Sequence, residues 1–235
     1  MPASNLIHAV LLRHGHYEQP AGVPSAWLPH PLTEQGRAQA TAAVARVRTE
    51  LERVNATLHP VVHASVLLRA FETATRFAEG WGGETLTVRT SPSLNERGLG
   101  AAANLTVAEI EAVAARDPRV GALPGGWKSA AHFKLPLPGA ESLAEAGGRV
   151  AAHVESVCRE ISLVGEGPRA VVFVGHGAAF RHAAVCLNVL DASSLPALSM
   201  HHCAPVVLCR HGLGHWSHVS GAWKRRQLVV GEGND

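Results

Sequence analysis

Arg13-His14-Gly15 and Gly175-His176-Gly177 each place an imidazole directly after an apolar run, and Arg69 and Glu96 lie between them in the chain. A neutral imidazole is a competent nucleophile near neutral pH, its reference pKa being roughly 6.5. Arginine presents a planar, bidentate cation that matches phosphate oxygens. A carboxyl group within reach can give a leaving alkoxide the proton it needs. As a set, His14, His176, Arg13, Arg69 and Glu96 suit phosphoryl transfer.

Such residues must be delivered by stiff elements. Leu6 to Leu12 is an apolar run bounded by Gly15, which reads as a strand buried on both faces. Its carboxyl end, where ligands sit in open α/β sheets, presents Arg13 and His14. Ala170 to Val174 repeats the arrangement ahead of His176. Between them, a loop with Pro20, Pro24, Pro29 and Pro31 leads to Thr33, a plausible N-cap. Val44, Val47, Leu51, Val54 and Leu58 then form the stripe of a long amphipathic helix that Pro60 stops. Val61 to Ala64 is a second short strand, and Ser65 is placed to cap a helix through Phe77. Arg69 falls in the first turn of that helix, where a cation is unfavourable unless an anion sits in front.

Further on, Thr85 to Arg89 alternates like an edge strand, and Thr106 to Glu109 is a capping box. Residues 117–140, with four prolines and four glycines, read as a long loop lying as a lid over the site. Glu141 to Ser162 is helical, a helix after Gly177 runs to about Leu190, and Val206–Cys209 and Trp216–Ser220 are late strands. The alternation predicts a three-layer α/β fold with a mostly parallel central sheet covered by helices on both faces. No repeat or domain linker interrupts it, so residues 1–235 are expected to form one domain with an insertion at about 97–140.

Hydrophobic residues make up 46% of the 235 positions and charged residues 17%, enough for a substantial core. A net charge of +2 argues against a general nucleic-acid binder. Cysteines 158, 186, 203 and 209 form no C-x-x-C pair and suggest a reducing compartment. The opening MPASN lacks a signal-peptide n-region, and no apolar run approaches the roughly 20 residues that span a bilayer. The expectation is a soluble cytoplasmic protein without membrane contact, a homodimer being left open.

The motifs in order are Leu-Leu-Arg13-His14-Gly15, Pro-Leu32-Thr33-Glu-Gln-Gly36-Arg-Ala, Ser65-Val-Leu-Leu-Arg69-Ala-Phe-Glu-Thr73-Ala, Leu94-Asn95-Glu96-Arg97, Pro138-Gly-Ala-Glu141-Ser142-Leu and Val-Gly175-His176-Gly177. Together they resemble the histidine phosphatase superfamily, in the branch of cofactor-dependent phosphoglycerate mutase and fructose-2,6-bisphosphatase. The resemblance implies that His14 is the nucleophile that becomes phosphohistidine. It implies that Arg13, Arg69 and His176 hold the phosphoryl oxygens, and that Glu96 protonates the leaving oxygen and then activates water. It also implies that neither metal nor cofactor is needed, and that the partner is a small-molecule phosphomonoester. Arg97 and Ser65 are weaker substrate-binding candidates, a solvated arginine being the competing reading for Arg97.

The chain departs from the family in places. His16 stands where Glu or Gln is common, and Tyr17 and Gly177 break the pattern of the phytase and acid-phosphatase branch. Residues 98–140 lack the arginine-and-proline-rich segment of the mutases, which favours hydrolysis over mutase transfer. Mutase activity and a non-catalytic, ligand-binding or partner-binding role are the alternatives. A second Arg210-His211-Gly212 has no companion motifs after it and reads as a turn. His201, His202, Cys203, Cys209, His211, His215 and His218 raise a zinc reading, against which Gly212 and Gly214 spoil helical spacing. Trp27, His30, Trp127, His132 and Phe133 are either pocket lining for a partly apolar metabolite or packing within the lid.

Overall fold

The computed structural model describes residues 6–163 and 167–226; the MPASN stretch read for a targeting signal lies outside them. In chain order the elements are β1 (Ile7–Arg13), α1 (Glu34–Arg53), β2 (Thr57–Leu58), β3 (Val61–Ser65), α2 (Leu68–Gly80), β4 (Thr87–Ser91), α3 (Val107–Arg116), α4 (Leu143–Ser162), β5 (Arg169–Gly175), α5 (Gly177–Cys186), β6 (Leu198–Ser199), β7 (Pro205–Arg210), β8 (Trp216–Gly221) and β9 (Lys224–Arg225). The main sheet runs β4-β3-β5-β1-β7-β8, with β2 also paired to β5. β4, β3, β5 and β1 are parallel, and β7 and β8 continue antiparallel at one side.

The central strands are mostly apolar, with His8 of β1 and His63 of β3 the buried exceptions, because helices cover both of their faces. Successive side chains of a strand point to opposite faces. Accordingly Val10 and Leu12 of β1, with Val172 and Val174 of β5, pack against Ala40, Ala43 and Val47 of α1 and Ala70, Ala74 and Phe77 of α2. Ile7, Ala9 and Leu11, with Val171 and Phe173, pack against Val150, Val154 and Cys158 of α4 and Ala179, Phe180 and Ala183 of α5. A third, smaller cluster joins Ala26 to Leu99, Ala102, Ile110, Trp127, Leu135 and Ala140 of the insertion. No helix among the described residues is long and apolar enough to cross a membrane.

Several sequence expectations need correcting. The helix expected to reach Leu58 ends at Arg53, because Asn55 turns the chain at φ 49° and Thr57–Leu58 pair with Arg169 and Ala170 of β5 instead. Ser65 does not cap α2: Leu67 is the N-cap and supplies no side-chain bond, while Ser65 ends β3. The helix after His176 stops at Cys186 rather than Leu190, where Asn188 takes φ 57°. α4 starts at Leu143, since Ser142 forms a capping box with Glu145. The caps at Thr33 and Thr106 form as expected.

Candidate active site

The parallel pairing of β1 with β5 sets the site. Arg13 lies opposite Gly175 in the register, so the next residue of each strand is a histidine leaving the sheet at the same carboxyl edge. The His14 N–H donates to the Gly175 carbonyl at 3.0 Å, and the two imidazole centroids are 5.1 Å apart. The loop after His14 is held tightly: the Gly15 N–H donates to Thr73 Oγ1 at 3.1 Å and the His16 N–H to Gln39 Oε1 at 2.8 Å. Gly36 is required here, because a Cβ at that position would overlap the His16 carbonyl oxygen.

Arg69 is fully buried and joins the two histidines. Its Nε donates to His14 Nε2 at 3.3 Å, and its Nη2 lies 3.2 Å from His176 Nδ1. The other edge of the guanidinium is anchored to backbone, Nη1 to the Leu28 carbonyl at 3.1 Å and Nη2 to the Ala26 carbonyl at 2.8 Å. The Tyr17 ring lies beneath it, with the guanidinium carbon 4.6 Å from the centroid. An arginine donates and never accepts, so Arg69 requires a lone pair on both imidazole nitrogens it touches.

The remaining nitrogens agree with that assignment. His14 Nδ1 is 2.7 Å from the Gly15 carbonyl, which can only accept, so this nitrogen carries the proton and Nε2 is free. For His176, the Ser65 hydroxyl and the Val66 N–H both donate to Asn95 Oδ1, at 2.8 and 3.2 Å. The Ser65 oxygen therefore accepts from His176 Nε2–H, at 2.9 Å. Burial first, then the cations Arg69 and Arg13, hold both histidines well below the ordinary imidazole range, His176 adding to the effect on His14. Both rings are neutral at neutral pH, and His14 Nε2 is an unprotonated nitrogen facing a cation.

Glu96 sits at the start of α5. Its Oε1 accepts from the N–H groups of Ala179 and Arg97, both at 3.0 Å, and its Oε2 from Ala178 at 3.3 Å. Arg13 packs against Gly177 at the same helix end, where an added Cβ would lie 3.3 Å from Arg13 Cδ, and donates to the Met200 carbonyl at 2.9 Å. The segment carrying Glu96 is fixed from behind: Arg149 donates to the carbonyls of Pro92, Ser93 and Asn95 and pairs with Glu141, which accepts from the Gly98 N–H. From the front, the indole of Trp27 donates to the Glu96 carbonyl at 2.7 Å.

His14, Arg69, His176 and Ser65 thus share one hydrogen-bonded group, with Arg13 and Glu96 beside it at the start of α5. Arg97 is not solvated: only 8% of it is exposed, and burial lowers its pKa against the opposing pull of Glu96 and Glu141. Trp127 donates to Glu111 and packs near Phe133 inside the insertion's own cluster, which is the packing alternative for that pair. The second R-H-G is a turn between β7 and β8, with Arg210 paired to Glu155 and His211 bonded to Ser217. The histidines and cysteines of 201–218 are dispersed, Cys209 lying in β7 and His202 beside His14, and no group of three potential ligands gathers among the described residues.

Sequence reasoning missed Tyr17, Asn95, His202 and the carbonyls of Ala26 and Leu28. Tyr17 sat in plain view beside the first motif; the carbonyls carried no side-chain signal at all.

A family model described as the histidine phosphatase superfamily (branch 1) matches residues 9–221. The 2,3-bisphosphoglycerate-dependent phosphoglycerate mutase of Brucella anthropi is 27% identical over 199 residues, which are 84% of this chain and 89% of that protein. Among solved structures, a mycobacterial glucosyl-3-phosphoglycerate phosphatase is 29% identical with a TM-score of 0.66, covering 94% of this chain and 97% of that one. A phosphoglycerate mutase from Bacillus anthracis shares the fold at 19% identity, with a TM-score of 0.70 and 92% and 93% coverage.

Proposed function

The chain belongs to the histidine phosphatase superfamily, and on that footing we propose that it is a phosphomonoesterase acting on a small phosphorylated metabolite through a phosphohistidine on His14. The observation that carries this reading is one buried guanidinium touching both imidazoles, with Nε on His14 Nε2 and Nη2 on His176 Nδ1. A phosphoryl group entering between these three side chains meets a neutral nucleophile and a cation already held in place. Most of the catalytic effect in phosphoryl transfer comes from such positioning and electrostatics.

In the first half of the reaction, the lone pair of His14 Nε2 attacks phosphorus in line and the P–O bond to the alcohol breaks. Arg13 and Arg69 bear the charge of the equatorial oxygens. Glu96 delivers a proton to the leaving alkoxide. In the second half, Glu96 takes a proton from water, the water oxygen attacks phosphorus, and the P–N bond breaks to return His14. The Gly15 carbonyl holds the Nδ1 proton throughout, which keeps the attacking nitrogen at Nε2. The insertion at about 97–140, packed on Ala26 next to the carbonyls that hold Arg69, serves as the lid.

Water is favoured over a second substrate as acceptor. The exposed Arg119 of the insertion is already paired with Asp117 and offers no ready grip on a phosphoglycerate. Rapid quenching of the enzyme with an aryl phosphate should trap a phosphoenzyme that is stable in base and labile in acid. His14→Ala should abolish both this species and turnover. Turnover persisting in His14→Ala would end the phosphohistidine account.

A further inference from the structure

Which nitrogen of His176 carries a proton is decided through Ser65 by Asn95, both of them buried. Parallel pairing sets Ala64 of β3 opposite Val174 of β5, which brings Ser65 level with Gly175, the residue before His176. The Ser65 oxygen accepts twice, from the Leu67 N–H at 3.2 Å and from His176 Nε2–H at 2.9 Å. Its own proton goes to Asn95 Oδ1, which also takes the Val66 N–H at 3.2 Å. A main-chain N–H only donates, so this amide atom is the oxygen, and the order of donors from the ring to Asn95 is forced. Asn95 is itself pinned at both main-chain groups: its N–H donates to the Pro92 carbonyl at 3.1 Å, and its carbonyl accepts from Arg149 Nη1 at 3.2 Å.

The other ring nitrogen is thereby left without a proton, and Arg69 Nη2 donates to it at 3.2 Å. The second hydrogen of that Nη2 goes to the Ala26 carbonyl. A phosphoryl oxygen that takes the first hydrogen leaves the His176 Nδ1 lone pair facing an oxygen lone pair. The contact becomes attractive when that oxygen carries a proton. Uptake of a proton by the ring itself is opposed by burial, then by Arg69, Arg13 and Arg149, which hold its pKa well below the ordinary range. The charged and titratable groups around the ring are His14 and Arg13 at the end of β1, Arg69 of α2, Arg149 of α4 and Glu96 ahead of α5.

We propose that Asn95 is a positioning residue: through Ser65 it keeps the His176 proton on Nε2, so that Nδ1 accepts from the phosphoryl group and the site selects the protonated phosphate monoanion over the dianion. The P–O–H proton stays on its oxygen in this hydrogen bond, and no covalent bond forms or breaks. For a substrate the inference rests on the phosphomonoesterase reading given above; for inorganic phosphate it does not.

Calorimetric titration of the full chain with inorganic phosphate reads the selection without turnover. Above the second ionisation of phosphate the competent monoanion falls about tenfold per pH unit, and wild-type affinity should fall with it. Asn95→Ala frees the Ser65 hydroxyl to donate to Nε2 and send the ring proton to Nδ1, so its affinity should stay level or rise over the same range. Nitrogen NMR, with the His176 signals assigned by their loss in His176→Asn, should find the proton on Nε2 in the wild type and on Nδ1 in Asn95→Ala. Looser packing alone would move neither readout. Should Asn95→Ala fail to fold, Ser65→Ala removes the acceptor for Nε2–H and should flatten the slope in the same way. Wild-type affinity that is absent, level or rising with pH, a wild-type proton on Nδ1, or an unchanged slope in a folded variant overturns the proposal. In turnover, kcat/KM should bend downward at the second pKa of the substrate, about 6 for a phosphomonoester, and the bend should move to lower pH with a more acidic substrate. A chain that titrates as expected and hydrolyses nothing fails the enzymatic reading and keeps this one; turnover combined with a level affinity does the reverse.

Discussion

Replacing Arg69 with lysine keeps a positive charge and removes the fork. The native side chain reaches the Leu28 carbonyl at 3.1 Å, the Ala26 carbonyl at 2.8 Å, His176 Nδ1 at 3.2 Å and His14 Nε2 at 3.3 Å. A lysine ammonium carries its donors on one atom and cannot serve the two carbonyls and both imidazoles together. Leaving a buried carbonyl without its donor costs about 1–3 kcal/mol. A domain of ordinary stability, about 5–15 kcal/mol, remains folded after such a loss. The transferred phosphoryl group loses a bidentate partner, and removing a comparable oxyanion donor lowers kcat by about 10²–10³-fold. Steady-state hydrolysis of an aryl phosphate, alongside urea unfolding, should find kcat down by about that factor in a variant that still unfolds cooperatively. A folded Arg69→Lys enzyme with kcat within about threefold of wild type would refute the role given to this guanidinium.

Other perturbations test other parts of the account. Glu96→Gln should slow alkyl phosphates by about 10²–10⁴-fold and aryl phosphates much less, and an equal loss on both would remove Glu96 from the acid role. Gly36→Ala forces a methyl group against the His16 carbonyl, so the loop after His14 must move; the expected result is about 1–3 kcal/mol less stability in urea together with reduced kcat, and an unaffected enzyme would contradict the packing. His63, buried beneath α4 with Nδ1 unpartnered, has its pKa lowered to about 4 by burial, then by His153, Arg89 and His59. The unfolded chain takes up that proton near pH 6.5 and the folded chain only near 4, so this contribution to stability is complete above about 6.5 and is lost as pH falls through that window. Unfolding midpoints measured across it should fall less steeply for His63→Phe, and an identical slope would show that His63 does not titrate there.

How much of this was legible in the sequence follows from what each feature is made of. β1 and β5 were readable because strands buried on both faces are apolar at nearly every position, and the residues that end them are chemically distinctive. Thr33 and Thr106 were readable because a cap is a local matter of one side chain and the N–H groups just after it. The end of α1 was not: its apolar stripe continues through Leu58 at helical spacing, but pairing with β5 outweighs that preference. Ser65 looked like a cap because its type fits; its oxygen does accept the Leu67 N–H just before the helix, but the hydroxyl is otherwise engaged by Asn95 and His176, both distant in sequence. The solvated alternative for Arg97 fails because the fold buries it, with Glu96 and Glu141 as charged neighbours, and burial of this kind leaves no local mark in the sequence. β6 and β9, at two residues each, are too short to leave a periodic trace. The anchoring of Arg69 uses main-chain oxygens, which every residue possesses.

The neighbouring positions of β1 and β5 have a consequence for how this scaffold can change. The separation of the two imidazoles is inherited from the spacing between adjacent parallel strands, and no loop length enters it. Residues 97–140, by contrast, carry their own small apolar nucleus around Ala26, tied to the rest also by the Val107 N–H on the Gly22 carbonyl, the Ala144 N–H on the Ala131 carbonyl and Lys134 paired with Glu145. Cutting, lengthening or exchanging that segment would leave the strand spacing between nucleophile and neighbouring ring untouched, and on the lid proposal it would change which molecules enter.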